Sequence, residues 1–269
     1  MRQGACKGVE PGNLTQDASR MTYRVSMLKH LTILLLLIGA VVLPEAVFAQ
    51  ADYGFRFVRV RFEGPGGGVG GGRGRFGGGA WWAHDYPTAE ENFYIALKRT
   101  TSIYVEEPYL ILGLDDDRIF EYPILYLCEP AYWNMTGEEV ERLREYLNRG
   151  GFILFDDFGG QREWFLFYEQ MKRVFPDLEP EEISPDHPIW DIYFDVDPVA
   201  APSLVSRREY NQGEDRYMAY FDDKGRMMAL ANHNQDIGDG WEWPDRNFQN
   251  ASTISFQMGI NFVMYALTH

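Results

Sequence analysis

Cysteine is scarce in this chain of 269 residues, which contains only Cys6 and Cys128. Cys6 lies in an N-terminal segment that we expect to be removed, so the remaining chain is expected to hold no internal disulfide. Histidine is also scarce, and no two of the five histidines have the spacing of a zinc-ligand pair. The sequence therefore predicts neither a metal site nor a cofactor.

Basic residues are few compared with acidic ones. The chain has 25 lysines and arginines against 40 aspartates and glutamates, for a net charge of −15. Beyond residue 49 the charge is more negative still, at −17, with 20 basic and 37 acidic residues. Such a surface repels phosphate backbones and argues against nucleic-acid binding. The G-x-S-x-G elbow of many serine hydrolases is absent as well.

One apolar segment near the N-terminus has the features of an export signal. Residues 31–43 carry no charge and follow several basic residues. Thirteen residues are fewer than the roughly 20 needed to span a bilayer, and they match the apolar region of a signal peptide. A small-x-small cleavage motif ends at Ala49, directly before Gln50.

We therefore predict that residues 1–49 are a signal peptide and that the mature protein is periplasmic or secreted. Met21 and Met27 are alternative translation starts, because the first twenty residues have no fold pattern. The alternative is an uncleaved leader that anchors the protein in the inner membrane, which would be its only membrane association.

Residues 64–79 are mostly glycine. A helix cannot begin inside this segment, so it lacks the strand-then-helix context of a phosphate-binding loop. We interpret it as a flexible surface loop of a single domain that covers residues 50–269.

Apolar runs and helical stripes alternate along this domain. Strands are predicted at residues 55–62, 102–106, 123–128, 152–155, 192–196, 217–221 and 226–231. Helices are predicted after capping boxes at Thr88/Glu91 and Thr136/Glu139, near residues 163–174 and over 252–267. Arg59 is expected on the exposed side of the first strand. Strand–helix alternation predicts an α/β sandwich of three layers around a mostly parallel sheet.

Ligands bind beyond the carboxyl ends of the strands in such sheets. Asp156 and Asp157 directly follow the strand at 152–155, and they must diverge as the strand ends. One of them is expected to face a cleft, and the other to bond to neighbouring backbone. Cys128 ends another apolar strand, where a free thiol is expected to be buried and inert.

A second group of candidates follows the strand at 226–231. His233 comes just past its end, and a predicted loop at 238–243 contains Asp239 and Trp241. The loop is a candidate wall of a sugar-binding site, or its tryptophan covers the core. We expect Asp157 and His233 to share one cleft.

Three further polar residues are candidate binding residues. His84 and Asp85 lie in a Trp-Trp-Ala-His-Asp-Tyr-Pro segment, and His187 precedes a proline. Each histidine is either a ligand-binding residue or a hydrogen-bonded structural one.

With these segments in view, the chain resembles a bacterial family known as domain of unknown function 4159. The resemblance rests on Asp-Tyr-Pro at 85–87, Asp-His-Pro-Ile at 186–189, residues 259–267 and, most specifically, Gly-Gly-Phe-Ile-Leu-Phe-Asp-Asp-Phe at 150–158. It implies a flavodoxin-like fold similar to that of class I glutamine amidotransferases. The amidotransferase nucleophile is a cysteine, and here Asp156-Asp157 occupy its place, which argues against amide transfer.

Two functions remain open at this point. The favoured one is a non-catalytic exported domain that binds a small ligand, such as a carbohydrate, or a partner in a cell-envelope complex. The alternative is a hydrolase of glycans or amides, in which Asp157 or Asp156 acts with His233 as acid and base.

Overall fold

A computed structural model describes residues 54–64, 80–106, 109–201, 215–246 and 250–269. The predicted signal peptide and the glycine-rich segment beyond Gly64 lie outside the described residues. The chain folds as an α/β protein with a mixed, mostly parallel sheet of seven strands in the described part.

The strand order is β2-β1-β3-β4-β7-β6-β5. The strands are β1 (Val58–Arg61), β2 (Leu110–Gly113), β3 (Ile124–Cys128), β4 (Phe152–Phe158), β5 (Glu181–Glu182), β6 (Arg216–Phe221) and β7 (Met227–His233). The first five strands in this order run parallel, whereas β6 is antiparallel to both β7 and β5. The parallel sheet inferred from strand–helix alternation is confirmed.

Helices cover both faces of this sheet. The five α-helices of the described part are α1 (Thr88–Thr100), α2 (Gly137–Asn148), α3 (Gly160–Val174), α4 (Ile237–Glu242) and α5 (Ala251–Thr268). Apolar residues of α1, α4 and α5 belong to one buried cluster, and those of α2 and α3 belong to another. Successive residues of β3 and β4 alternate between the two clusters, as the pleat of a strand requires.

The connections bring four chain segments to one edge of the sheet. From β1 the chain passes through α1 to β2 on one side, whereas β3 lies on the other side of β1. The carboxyl ends of β1 and β3 therefore flank a switch point, the usual place for a ligand in an open α/β sheet. The segment before α1, the ends of β3 and β4, and the turn after β7 all reach this edge.

Arg59 differs from its predicted exposed position, because its side chain is fully buried. β1 is an interior strand with helices over both faces, so no side of it faces water. The guanidinium pairs with the buried carboxylate of Glu90 on α1 and lies 4.9 Å from the Tyr126 ring centre. The attraction to Glu90 offsets part of the free energy that it costs to bury the charge of Arg59.

Two predicted strands are wrong. Residues 192–196 form no strand, because the Asn261 side chain bonds to both the N–H and the C=O of Phe194 in place of a neighbouring strand. Residues 102–106 contribute only a bridge between Val105 and Phe55. The strand that pairs with β1 on the side away from β3 is β2, which the sequence pattern did not indicate.

The N-termini of the helices agree only in part with the predicted capping boxes. The Thr136/Glu139 capping box is confirmed in full. The Thr88/Glu91 box is wrong, since α1 begins after Pro87 with no side-chain cap. Residues 238–243, predicted as a loop, lie largely in α4, whose N-cap Asp236 accepts from the Asp239 N–H. None of the helices in the described ranges is long and apolar enough to cross a membrane.

Candidate functional site

A histidine and an aspartate from distant parts of the chain meet at the carboxyl edge of the sheet. Nδ1 of His84 lies 2.5 Å from Oδ2 of Asp157. Asp157 belongs to the end of β4, and its side chain is 3% exposed, whereas that of His84 is 47% exposed. The imidazole therefore separates a buried carboxylate from solvent.

Arg59 fixes the segment that carries His84. Its Nη1 donates to the carbonyl oxygens of Trp82 and His84, at 2.9 Å each. Because Arg59 belongs to β1 and is itself held by Glu90 of α1, the segment before α1 is tied to strand β1.

Asp85, next to His84, has no hydrogen-bond partner among the described residues on either carboxylate oxygen, although its side chain is fully buried. Its Oδ1 is 3.6 Å from Nδ1 of His84. Burying a carboxylate without hydrogen-bond donors costs folding free energy. Such a group in a native fold therefore indicates a functional role, such as binding an ion.

The end of β3 supplies two more groups. Sγ of the buried Cys128 lies 3.6 Å from Oδ2 of Asp157. Oε1 of Glu129 is 4.0 Å from Nδ1 of His84, and its Oε2 is buried and has no partner in the part of the chain that the structure describes. Ligand atoms of His84, Asp85, Cys128 and Asp157 all lie within 4.8 Å of one another, and we call these four residues the primary cluster.

Three residues of this region have left-handed backbone conformations. The φ angles are 63° at Asp85, 57° at Glu129 and 59° at Asp157. For a residue with a Cβ such a conformation costs about 1 kcal/mol or more. Each of the three directs a carboxylate towards His84, so the backbone is bent to bring acidic groups together.

Asp156 has a different role from its neighbour. Its carboxylate accepts from the backbone N–H groups of Ile237 and Gly238, from the Asn232 amide and from the Tyr126 hydroxyl. Asp156 therefore holds the start of α4 against the sheet. This agrees with the expectation that one of the two aspartates bonds to neighbouring backbone.

Negative charge accumulates here without matching positive charge. Burial, together with the Asp157 charge, raises the pKa of both Glu129 and Asp236 well above the usual range. Burial also raises the pKa of Asp85 well above its usual range and that of Asp239 to about 6. The hydrogen bond that His84 donates to Asp157 raises the pKa of His84 to about 10, so an imidazolium is the group that partly offsets these acids at neutral pH.

A second acidic group adjoins the primary cluster. Carboxylate oxygens of Asp85, Asp239 and Glu242 lie within 4.8 Å of one another. Asp239 and Glu242 are three residues apart on α4 and so share one face of that helix. We call these three residues the acidic triad.

His233 contacts other residues than Asp157. Its Nε2 is 3.1 Å from the carbonyl oxygen of Gly160, and its ring packs against Phe158 and Trp164. Burial lowers the pKa of this histidine, which leaves it neutral. The structure thus pairs Asp157 with His84, and places His233 among aromatic rings at the start of α3.

Two other candidate binding residues lie away from the primary cluster. Nδ1 of His187 accepts from the Ile189 N–H, and its ring is near Phe221, whose partner Met227 begins β7. His187 is therefore at the opposite edge of the sheet. Trp241 is 1% exposed and packs against Phe93, so its indole belongs to the core.

Glu129 and Glu242 were not among the sequence candidates. Glu129 follows β3 in the way that Asp156 follows the predicted strand 152–155, so its position at a strand end was an available signal. Glu242 could be found only by recognising α4 as a helix. The sequence does not indicate this helix, because two of its six residues are glycines, which have a low helix propensity.

Comparison with known families identifies a match over most of the chain. The family model described as "Domain of unknown function (DUF4159)" matches residues 69–267, which include every residue of the primary cluster and of the acidic triad. No curated protein matches the chain.

Proposed function

The chain belongs to the DUF4159 family, and from the geometry of its primary cluster we propose that it is a ligand-binding domain whose ligand is a divalent transition-metal ion. The observation that carries the proposal is the fully buried Asp85 carboxylate. Its two oxygens accept from no donor of the described ranges, and it lies beside three other potential ligands.

The distances suit an ion after a small adjustment. Two ligands of a tetrahedral ion with bonds near 2.1 Å lie about 3.4 Å apart. The separations from His84 to Asp85 and from Cys128 to Asp157 are both 3.6 Å. The contact that must lengthen is the 2.5 Å one between His84 and Asp157, and the half-exposed imidazole has room to move. All four ligand atoms lie within 4.8 Å of one another.

The ligand types favour zinc-like ions over magnesium or calcium. The cluster offers one imidazole nitrogen, one sulfur and two carboxylates, with Glu129 close enough to add a fifth ligand. Sulfur and imidazole select borderline-soft ions such as Zn²⁺, Fe²⁺ or Co²⁺. A divalent ion would also offset the local excess of negative charge.

The wider setting proposed for this site is an exported, amidotransferase-like domain. The order β2-β1-β3-β4-β7 is that of flavodoxin-like sheets and supports such a fold. The predicted signal peptide supports export to the periplasm or the medium, where the domain would act alone or in an envelope complex.

Hydrolysis of a glycan or amide is the second candidate function. It is favoured by the 47% exposure of the His84 side chain, which leaves one side of the cluster open to water. A bound ion open to solvent can activate water for attack on a substrate. Trp81 and Tyr132, stacked 3.7 Å apart and both half-buried, lie on the segments that carry His84 and Glu129 and could contact a sugar ring.

Zinc titration of the chelator-stripped protein tests the main proposal. We expect tight binding of Zn²⁺ that falls at least about 100-fold in His84→Ala and in Asp157→Asn. Asp223→Asn, in the exposed hairpin turn after β6, is the matched control and should bind as the parent does. Absence of zinc binding, or equal affinity in all variants, would exclude the metal site.

The hydrolase candidate needs a separate measurement. A panel of chromogenic glycosides and amides should be turned over by the zinc-loaded protein and not after chelation. Zinc binding without turnover of any of them would leave the non-catalytic function as the conclusion.

A further inference from the structure

We propose that the metal site is binuclear, with the carboxylate of Asp85 bridging the primary cluster and a second divalent ion held by Asp239 and Glu242. This inference rests on the proposed function, because the first ion occupies the primary cluster. It goes further in assigning a second site, of different chemistry, to the acidic triad.

The two oxygens of Asp85 face different neighbours. Oδ1 is 3.6 Å from Nδ1 of His84, on the side of the primary cluster. Oδ2 faces the start of α4, where a Cβ on Gly238 would lie only 2.5 Å from it. Both oxygens are buried and have no hydrogen-bond partner within the described part of the chain, so each is available to bind one ion.

The approach of α4 depends on the absence of a side chain at residue 238. Gly238 lets the helix come close enough for Asp239 and Glu242 to reach within 4.8 Å of Asp85. Asp156 and Asp236 hold that end of the helix in place through its backbone N–H groups. The fold therefore keeps three carboxylates together, with that of Asp85 buried and those of Asp239 and Glu242 half-buried.

No lysine or arginine of the described residues forms an ion pair with Asp239 or Glu242, and Asp239 is favoured in its charged form only from a distance, by His84 and Arg246. Three carboxylates form an all-oxygen ligand set, which suits Mn²⁺ or Mg²⁺ better than a soft ion. A carboxylate bridge places two ions about 3.5–4 Å apart, the arrangement that stabilises both the attacking and the leaving oxygen in two-metal hydrolysis.

The experiment is a titration of the zinc-loaded protein with Mn²⁺, followed by electron paramagnetic resonance. We expect one equivalent of Mn²⁺ to bind in the presence of one equivalent of Zn²⁺. Glu242→Gln should weaken Mn²⁺ binding at least about 10-fold and leave Zn²⁺ affinity unchanged, and Asp85→Asn should weaken both. Asp223→Asn again serves as the control.

A second readout tests the bridge itself. Replacing diamagnetic Zn²⁺ by paramagnetic Co²⁺ in the primary cluster should broaden the signal of the neighbouring Mn²⁺, because a shared carboxylate couples the two ions. Zinc binding with no bound Mn²⁺, or Mn²⁺ binding that Glu242→Gln does not change, would overturn the binuclear proposal alone. Failure to bind Zn²⁺ would instead overturn the proposed function.

Discussion

His84 and Asp157 are separated by 73 residues in the chain, yet Nδ1 of one lies 2.5 Å from Oδ2 of the other. The contact joins the segment after β1 to the end of β4, across the intervening strand β3. It organises the most acidic part of the structure, because Asp85 and Glu129 face the same imidazole.

Adjacent aspartates should respond differently to substitution. Asp156→Ala leaves the N–H groups of Ile237 and Gly238 and the Asn232 amide without an acceptor, so we expect a loss of about 3 kcal/mol or more of unfolding free energy. Asp157→Ala removes the partner of His84 but also relieves repulsion among the neighbouring acids, so we expect it to lower the metal-free stability less than Asp156→Ala does. Urea denaturation of the two variants measures both. Equal destabilisation would contradict the division of roles.

Cys128 should be a ligand rather than a reactive thiol. Burial raises the pKa of Cys128 well above its usual range, so thiol reagents should label the native metal-free protein slowly. With Co²⁺ bound, we expect a near-ultraviolet thiolate-to-cobalt absorption band that Cys128→Ser abolishes. A cobalt complex that lacks this band in the parent protein would remove sulfur from the ligand set.

Gly238→Ala should damage the site through steric contact. The new methyl group would lie 2.5 Å from Oδ2 of Asp85 and 2.8 Å from the Tyr126 hydroxyl, which we expect to cost about 1–3 kcal/mol of stability. Gly137→Ala is the matched control, since no atom of the described residues lies within 4 Å of its Cβ position and alanine favours the helix. Thermal unfolding should separate the two variants, and a stabilised Gly238→Ala would disprove the close approach.

His233 should make the protein sensitive to acid. Burial lowers the pKa of this histidine in the folded state, and the nearby Arg216 lowers it further, whereas the unfolded chain takes up the proton near pH 6.5. The unfolded state thus binds more protons, so stability due to His233 is present above about pH 6.5 and is lost as the pH falls below it.

The substitution His233→Phe should remove this sensitivity and keep the packing against Phe158 and Trp164. Unfolding free energies of parent and variant should therefore diverge in favour of the variant between about pH 7 and about pH 5. If the unfolding free energies of parent and variant changed in parallel with pH, His233 would not contribute to the acid sensitivity of the protein.

Export predicts a defined N-terminus. If the leader is cleaved after Ala49, the protein isolated from its native envelope begins at Gln50. N-terminal sequencing or intact mass distinguishes this from a chain that still carries residues 31–43, which would indicate an anchor instead.

The sequence by itself determined the α/β class, the parallel strands β3 and β4 and the helices α2, α3 and α5. These elements have long apolar runs or helical stripes, and local patterning is strong enough to specify them. It also placed His84, Asp85, Asp156, Asp157 and Asp239 among the candidates, because polar residues at strand ends and in their loops stand out from the apolar core.

Only the tertiary structure decided which of these residues meet. The choice of His84 over His233 as the partner of Asp157 depends on the strand order and on the buried Arg59, which ties the His84 segment to β1. The conversion of residues 237–242 into a helix depends on Asp156 and Asp236, which accept its first N–H groups. Both are long-range effects, in which a contact made elsewhere in the chain outweighs the local propensity of the segment.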